Sequence, residues 1–168
     1  MKRSGVFCLM GYIGTIFAAN WAIEAFGAVP VWVGLMAPAG VYFAGLAFTL
    51  RDLVHESLGV RWVIAAIVAG AAASWIVSPA FAFASATAFL VSEGLDLAVY
   101  TPLRKRDWIS AVVASNVVGA AIDSALFLWL AFGSLAYLPG QIAGKLWMTA
   151  LAIGAIALVR GLRRQAVS

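Results

Sequence analysis

The sequence has 168 residues, of which 64% are hydrophobic and 11% are charged, and its mean hydropathy is +1.01. Soluble domains are about 45–50% apolar, so this composition excludes an ordinary soluble domain and indicates an integral membrane protein. The net charge of +4 comes mostly from basic residues at the ends of apolar segments, where they orient helices, so it does not indicate a nucleic-acid partner. The single cysteine, Cys8, excludes an internal disulfide and a cysteine-based metal cluster.

The apolar segments follow one another with short connections. A membrane-spanning helix needs about 20 mostly apolar residues, so the chain has room for about six helices and no soluble domain. The sequence therefore predicts an all-α integral membrane protein with a single transmembrane domain over residues 1–168. Its helices are predicted at about residues 5–24, 32–57, 60–77, 80–101, 107–131 and 138–160. Pro38 and Gly40 are expected to kink the second helix.

The basic residues predict the orientation of these helices. They fall at the N-terminus, on alternate connections and at the C-terminus: Lys2 and Arg3, Arg61, Arg104 to Arg106, and Arg160, Arg163 and Arg164. Cytoplasmic loops carry the excess of Lys and Arg, so both termini are predicted to be cytoplasmic. The tryptophans near the predicted helix ends fit the same topology, because Trp is enriched at both membrane interfaces.

Polar residues inside the apolar segments are the candidates for substrate binding. A charge within a span costs about 2.5–3.5 kcal/mol on insertion scales, so such residues usually face the interior of the bundle and mark functional sites. The candidates are Glu93, Asn116, Asp123, Gln141 and Lys145. Asp123 and Lys145 are predicted at similar depth and are expected to interact. The alternative is a buried ion pair that only fixes the register of two helices.

A second polar group is predicted nearer the cytoplasm. It consists of Arg51, Asp52, His55 and Glu56 at the end of the second helix, together with Asp96. We interpret it as an inner polar cluster that lines or gates the exit, and the alternative is an interfacial cluster that reaches into water. With one histidine and one cysteine, the chain offers no catalytic or metal-binding constellation, so we predict neither an enzyme nor a cofactor.

Four segments resemble the VUT family of vitamin uptake transporters. They are RDLVHESLG at 51–59, SEGLDLAVY at 92–100, SN at 115–116 with DSALF at 123–127, and GQIAGK at 140–145. The resemblance implies import of the queuosine precursor 7-cyano-7-deazaguanine (preQ0) or its 7-aminomethyl relative (preQ1), for salvage into modified tRNA. It places the family's acidic pairs on Asp52 with Glu56 and on Glu93 with Asp96. It places the other polar positions on Asn116, Asp123, Gln141 and Lys145.

The residue chemistry is compatible with such a substrate. A guanine-like base presents an N–H and an amine side by side, which one carboxylate can accept, and its carbonyl requires a donor. Glu93 or Asp123 could supply the carboxylate, and Asn116, Gln141 or Lys145 the donor.

Two other functions stay open at this point. They are the substrate-binding subunit of an energy-coupling-factor vitamin importer and a structural membrane subunit that transports nothing. The resemblance implies a multi-pass protein of the bacterial inner membrane. Small residues in the third and sixth helices favour either a homodimer or close packing within one bundle.

Overall fold

The computed structural model describes the backbone of residues 3–106 and 108–165. Side chains are described within these ranges except at 3–4, 96–97, 100–101, 104, 108–113, 115–116, 153 and 156–165. Six α-helices and one β-hairpin make up this described part. The helices are α1 (Arg3–Phe26), α2 (Val41–Leu58), α3 (Val60–Ser74), α4 (Pro79–Arg104), α5 (Trp108–Phe132) and α6 (Leu138–Gln165). The predicted helical fold and the number of helices are confirmed.

The start of the second helix differs from the prediction. The strands β1 (Ala28–Trp32) and β2 (Leu35–Pro38) pair antiparallel where the prediction begins that helix, and α2 starts only at Val41. Valines at every second position of 29–33 favour a strand, and Gly34 adopts a φ of +72° in the turn, a conformation that favours glycine. Pro38 therefore ends a strand, and it does not kink a helix.

One helical stretch has both the length and the hydropathy needed to cross a membrane. Among the described residues this is Gly5–Phe26 in α1, and the shorter apolar stretches are Val60–Ser74, Pro79–Leu95 and Val117–Phe132. The six spans and the cytoplasmic position of both termini stay predictions.

Two apolar clusters hold the helices together. One joins α1, α2 and α3 around Tyr12, Ile16, Val54 and Ile67. The other joins α1, α4 and α5 and includes Leu128. Between helices in a membrane, the close packing of such side chains stabilises the bundle, because lipid tails are as apolar as the protein interior. Polar side chains that lie between the two clusters are consequently shielded from solvent.

Glycines let the hairpin and α2 approach α6 closely. A methyl group added to Gly45 would lie 2.6 Å from Cβ of Met148, and one added to Gly140 would overlap the carbonyl group of Met36 in β2. The rings of Trp32 and Trp147 stack with their centroids 5.2 Å apart. The hairpin is thus docked on α6, the helix that carries Gln141 and Lys145.

The close contact at Gly140 gives a first testable prediction. Gly140→Ala is expected to lower the free energy of unfolding by about 1–3 kcal/mol, because backbone atoms of β2 must move to admit the methyl group. Thermal unfolding of the detergent-purified protein measures this effect. Gly14→Ala is the matched control, since a methyl group there meets no atom within 4 Å among the described residues. Equal stability of both variants would contradict the close docking of the hairpin.

Candidate functional site

A small buried cavity lies where α1, α4, α5 and α6 meet the start of α2. Its volume is about 30 Å³, roughly the space that one water molecule occupies in the liquid. The lining residues are Ala19, Ile23, Gly40, Ala44, Ser85, Phe89, Asp123, Phe127, Gln141 and Lys145. This central cavity must widen before it can hold a bicyclic ring.

An ion pair between α5 and α6 forms one wall of the central cavity. The ammonium group of Lys145 donates a hydrogen bond to the carboxylate of Asp123 and another, 2.8 Å long, to Oγ of Ser124. Both charged side chains are at most 5% exposed. The sequence predicts this interaction, and the structure confirms it. Because the charges compensate each other, they are tolerated at a depth where a single charge would be costly.

Gln141 brings an unused hydrogen-bonding atom to the same cavity. Its side chain is 2% exposed, and its Oε1 has no hydrogen-bond partner among the described residues. Ser85, which also lines the cavity, donates a hydrogen bond of 2.7 Å to Oδ1 of Asn20, whose Nδ2 is likewise unpartnered in the described part. A buried polar atom without a partner costs about 1–3 kcal/mol. A polar ligand or an ordered water molecule in the cavity could supply the missing partner.

Aromatic rings form the remaining walls. Phe89 and Phe127 line the cavity, and the ring of Phe48 packs behind Phe89 with their centroids 5.9 Å apart. Nζ of Lys145 lies 5.6 Å from the centroid of Phe48, and Cζ of Arg51 lies 5.3 Å from it. Cations within about 6 Å of a ring centroid are attracted by its electron-rich face. The Phe48 ring therefore connects two buried cations that belong to different ion pairs.

The second ion pair joins α2 to α4. Nη1 of Arg51 donates to Oε2 of Glu93 at 2.7 Å, while Nε and Nη2 donate to Oδ1 of Asp52 at 3.0 and 2.8 Å. Arg51 and Glu93 are buried, whereas the Asp52 side chain is 54% exposed. Nδ1 of His55 lies 4.0 Å from Oε1 of Glu93. This arginine-centred cluster therefore reaches from the buried interior to the surface.

The predicted site residues are divided between the central cavity and the arginine-centred cluster. Asp123, Gln141 and Lys145 line the central cavity. Glu93 does not line it, because its carboxylate is held by Arg51 on α2. Of the predicted inner cluster, Arg51 binds both Glu93 and Asp52, His55 lies 4.0 Å from Glu93, and Glu56 is exposed. The side chains of Asp96 and Asn116 lie outside the described residues. Among those described, no three histidine, cysteine or acidic side chains could hold a metal ion.

Sequence reasoning misses Asn20, Ser85 and Phe48. The sequence could have indicated Asn20, because it is an amide within an apolar helix and lies on the same face as the buried Ile16 and Ile23. It could not have indicated Ser85 and Phe48, since serine and phenylalanine are common in apolar helices. Their importance follows only from the packing of three different helices.

Comparison with known protein families gives a match to half of the chain. A family model described as "Putative vitamin uptake transporter" matches residues 76–159. This range contains Asp123, Gln141 and Lys145 and also Glu93, whereas Arg51 lies outside it. No curated protein and no solved structure shows a significant match.

Proposed function

The chain belongs to the putative vitamin uptake transporter family, and from this premise we propose that it imports a queuosine precursor, preQ0 or preQ1, across the bacterial inner membrane. Membership in a transporter family makes the chain a membrane protein. The proposed arrangement has six spans with both termini in the cytoplasm, as the distribution of basic residues predicts.

The observation that carries this proposal is the set of groups around the central cavity. A carboxylate, an ammonium group and an amide with an unpartnered oxygen lie there together with the rings of Phe89 and Phe127. A deazaguanine has a complementary edge, since its N–H and amine groups can pair with the carboxylate of Asp123 while its carbonyl accepts from Lys145. Stacking between aromatic rings would fix the plane of the base.

The ion pair keeps the charges of Asp123 and Lys145 compensated when no substrate is bound. In the structure Lys145 neutralises Asp123. When the base enters, its N–H groups donate hydrogen bonds to the carboxylate of Asp123, and Lys145 donates one to the carbonyl of the base. Neither charge is then left uncompensated. The helices must separate to enlarge the cavity, and the same movement would open access to it.

The arginine-centred cluster is proposed as the inner gate. It contains the buried Arg51 and Glu93, with Asp52 and His55 around them. We place Glu56 and Asp96 at its cytoplasmic edge, as the resemblance implies. The Phe48 ring lies between this cluster and Lys145, so a shift of Lys145 during binding would be transmitted to the gate.

Uptake of labelled preQ0 or preQ1 by cells that cannot synthesise the base tests the proposal. Gln141→Leu is expected to raise the KM about tenfold, because it removes a buried polar group that would bind the substrate. Val117→Ala on α5 is the control, since Val117 is exposed. Unchanged kinetics of Gln141→Leu would contradict the proposed site. Uptake by the purified chain in liposomes would exclude a required energy-coupling partner.

A further inference from the structure

A second, larger cavity lies at the end of the bundle opposite the N-terminus of α1. It has a volume of about 360 Å³ and opens to the surface between the ends of α1 and α5, the starts of α4 and α6, and the hairpin. The residues that line it are Ile23, Glu24, Gly27, Ala28, Pro38, Phe81, Phe132 and Tyr137. Sites for small molecules usually occupy about 300–1,000 Å³, so this outer cavity, unlike the central one, already has the size of a binding site.

In the described part of the chain, Glu24 is exposed and lines the outer cavity. It has neither an ion-pair partner nor a hydrogen bond to any described side chain. Glu24 lies in the last turn of α1, where the helix dipole is negative and disfavours an acidic side chain. A carboxylate in this position does not stabilise the helix, but it is available to bind a group that enters the cavity.

Aromatic rings line the same cavity as this carboxylate. Phe132 lies 5.6 Å from Phe81 and 6.5 Å from Tyr137, measured between ring centroids. Ring faces bind flat aromatic groups by stacking and attract cations, while a carboxylate accepts N–H donors. This combination suits a flat, nitrogen-rich ring with N–H groups or an ammonium group on its edge.

The outer and central cavities adjoin each other. The side chain of Ile23 lines both, and Phe127 of the central cavity packs on Phe132 of the outer one with ring centroids 6.0 Å apart. Ile23 and Phe127 therefore form the thin partition between the two. A rotation of these side chains would connect the cavities without unfolding any helix.

We infer that the outer cavity is a separate binding site, in which Glu24 and the surrounding aromatic rings hold the substrate before it passes Ile23 and Phe127 into the central cavity. The identity of the substrate and the outward orientation of this site rest on the proposed function. Capture at such a site raises the local concentration of substrate at the partition before the central cavity widens.

Transport kinetics with labelled preQ1 provide the first test. Glu24→Gln is expected to raise the KM about tenfold, the loss that corresponds to one charge-assisted hydrogen bond, and to leave the maximal rate nearly unchanged. Glu24→Asp should restore part of the affinity. A purely structural role would instead lower the amount of folded protein without shifting the KM, and this result would contradict the inference.

Chemical labelling provides a test that does not depend on transport. In a Cys8→Ser background, Ala28→Cys places a thiol in the outer cavity, and Val33→Cys places one on the same hairpin at a position that is 90% exposed and outside the cavity. Saturating preQ1 should slow the reaction of a membrane-impermeant maleimide with Cys at 28 and leave that at 33 unchanged.

The two proposals fail in different ways. Uptake of preQ1 by the unmodified chain without protection at position 28 would overturn the outer site and leave the proposed function intact. Neither uptake nor protection would overturn both. Protection that persists in Gln141→Leu, which weakens the central site, would support a separate outer site. Protection that disappears in Gln141→Leu would contradict it.

Discussion

Lys145→Met is expected to lower the free energy of unfolding by about 3–5 kcal/mol, because it leaves the carboxylate of Asp123 buried without its ammonium partner. The substitution also removes the donor that binds Ser124. Methionine has a similar length and no charge, so the loss would come from electrostatics and not from a cavity. Thermal unfolding of the purified protein measures the change.

A double variant separates stability from function at this pair. Asp123→Leu with Lys145→Met removes both charges, and replacement of a buried ion pair by apolar residues is often neutral or stabilising by about 1–4 kcal/mol. We therefore expect the double variant to recover most of the stability and to transport no base. Leu151→Ala on α6 is the control, since Leu151 is 63% exposed. If the double variant were as unstable as the single one, the pair would not be coupled. Transport by the double variant would exclude Asp123 from the substrate site.

The second large effect is expected at the arginine-centred cluster. Glu93→Gln should destabilise the fold by about 3 kcal/mol, because it removes the buried carboxylate that Arg51 binds at 2.7 Å. Asp52→Asn should cost only about 0–1 kcal/mol, since the Asp52 side chain is 54% exposed and its charge is screened by solvent. Both variants remove one negative charge next to the same guanidinium group, so they form a matched pair.

Measurement of unfolding and uptake for this pair tests the gate. Glu93→Gln is expected to slow uptake more strongly than Asp52→Asn, because the Glu93 carboxylate links α4 to α2 whereas Asp52 lies on α2 itself. Equal effects of the two substitutions on stability would contradict the expectation that the buried charge of Glu93 contributes more to stability than the exposed charge of Asp52. Normal uptake by a folded Glu93→Gln protein would contradict the proposed gate.

The sequence was sufficient to predict the ion pair that lines the central cavity. The helices α5 and α6 are joined by a short connection that begins at Gly133. Asp123 and Lys145 lie at similar distances from the helix ends at this connection, so counting residues along each helix gives their relative depth. A charged residue in an apolar segment needs a partner, and these two satisfied each other. Helix geometry and the cost of burying a charge therefore predict this pair, and the structure contains it.

The partner of Glu93 could not be predicted in this way. Depth along α4 places Glu93 near the middle of its helix, where a position on the substrate path was expected. The structure instead pairs it with Arg51, which lies well inside α2 (Val41–Leu58) and not at its end, and whose side chain is buried. Sequence position fixes the depth of Cα, whereas the depth of a guanidinium group depends on packing.

The hairpin escaped prediction because hydropathy does not distinguish a strand from a helix in a short apolar segment. The valines and prolines of 29–38 carried a signal for a strand, but the segment joins a longer apolar run that suggests one continuous helix. Docking on Gly140 and Gly144 of α6 decides the outcome, and it is a contact between residues more than 100 positions apart.

The hairpin also has a consequence for the surrounding lipid. Because it takes the place of the first turns of a helix, α2 has 18 residues and its neighbour α3 has 15, which correspond to lengths of about 27 and 22 Å. The hydrocarbon layer of a typical bilayer is about 30 Å thick. In the predicted six-span arrangement the protein is therefore shorter than the hydrocarbon layer on the side of α2 and α3, and we expect the lipid there to thin to match it. The hairpin would then lie at the level of the headgroups, where water can reach its backbone.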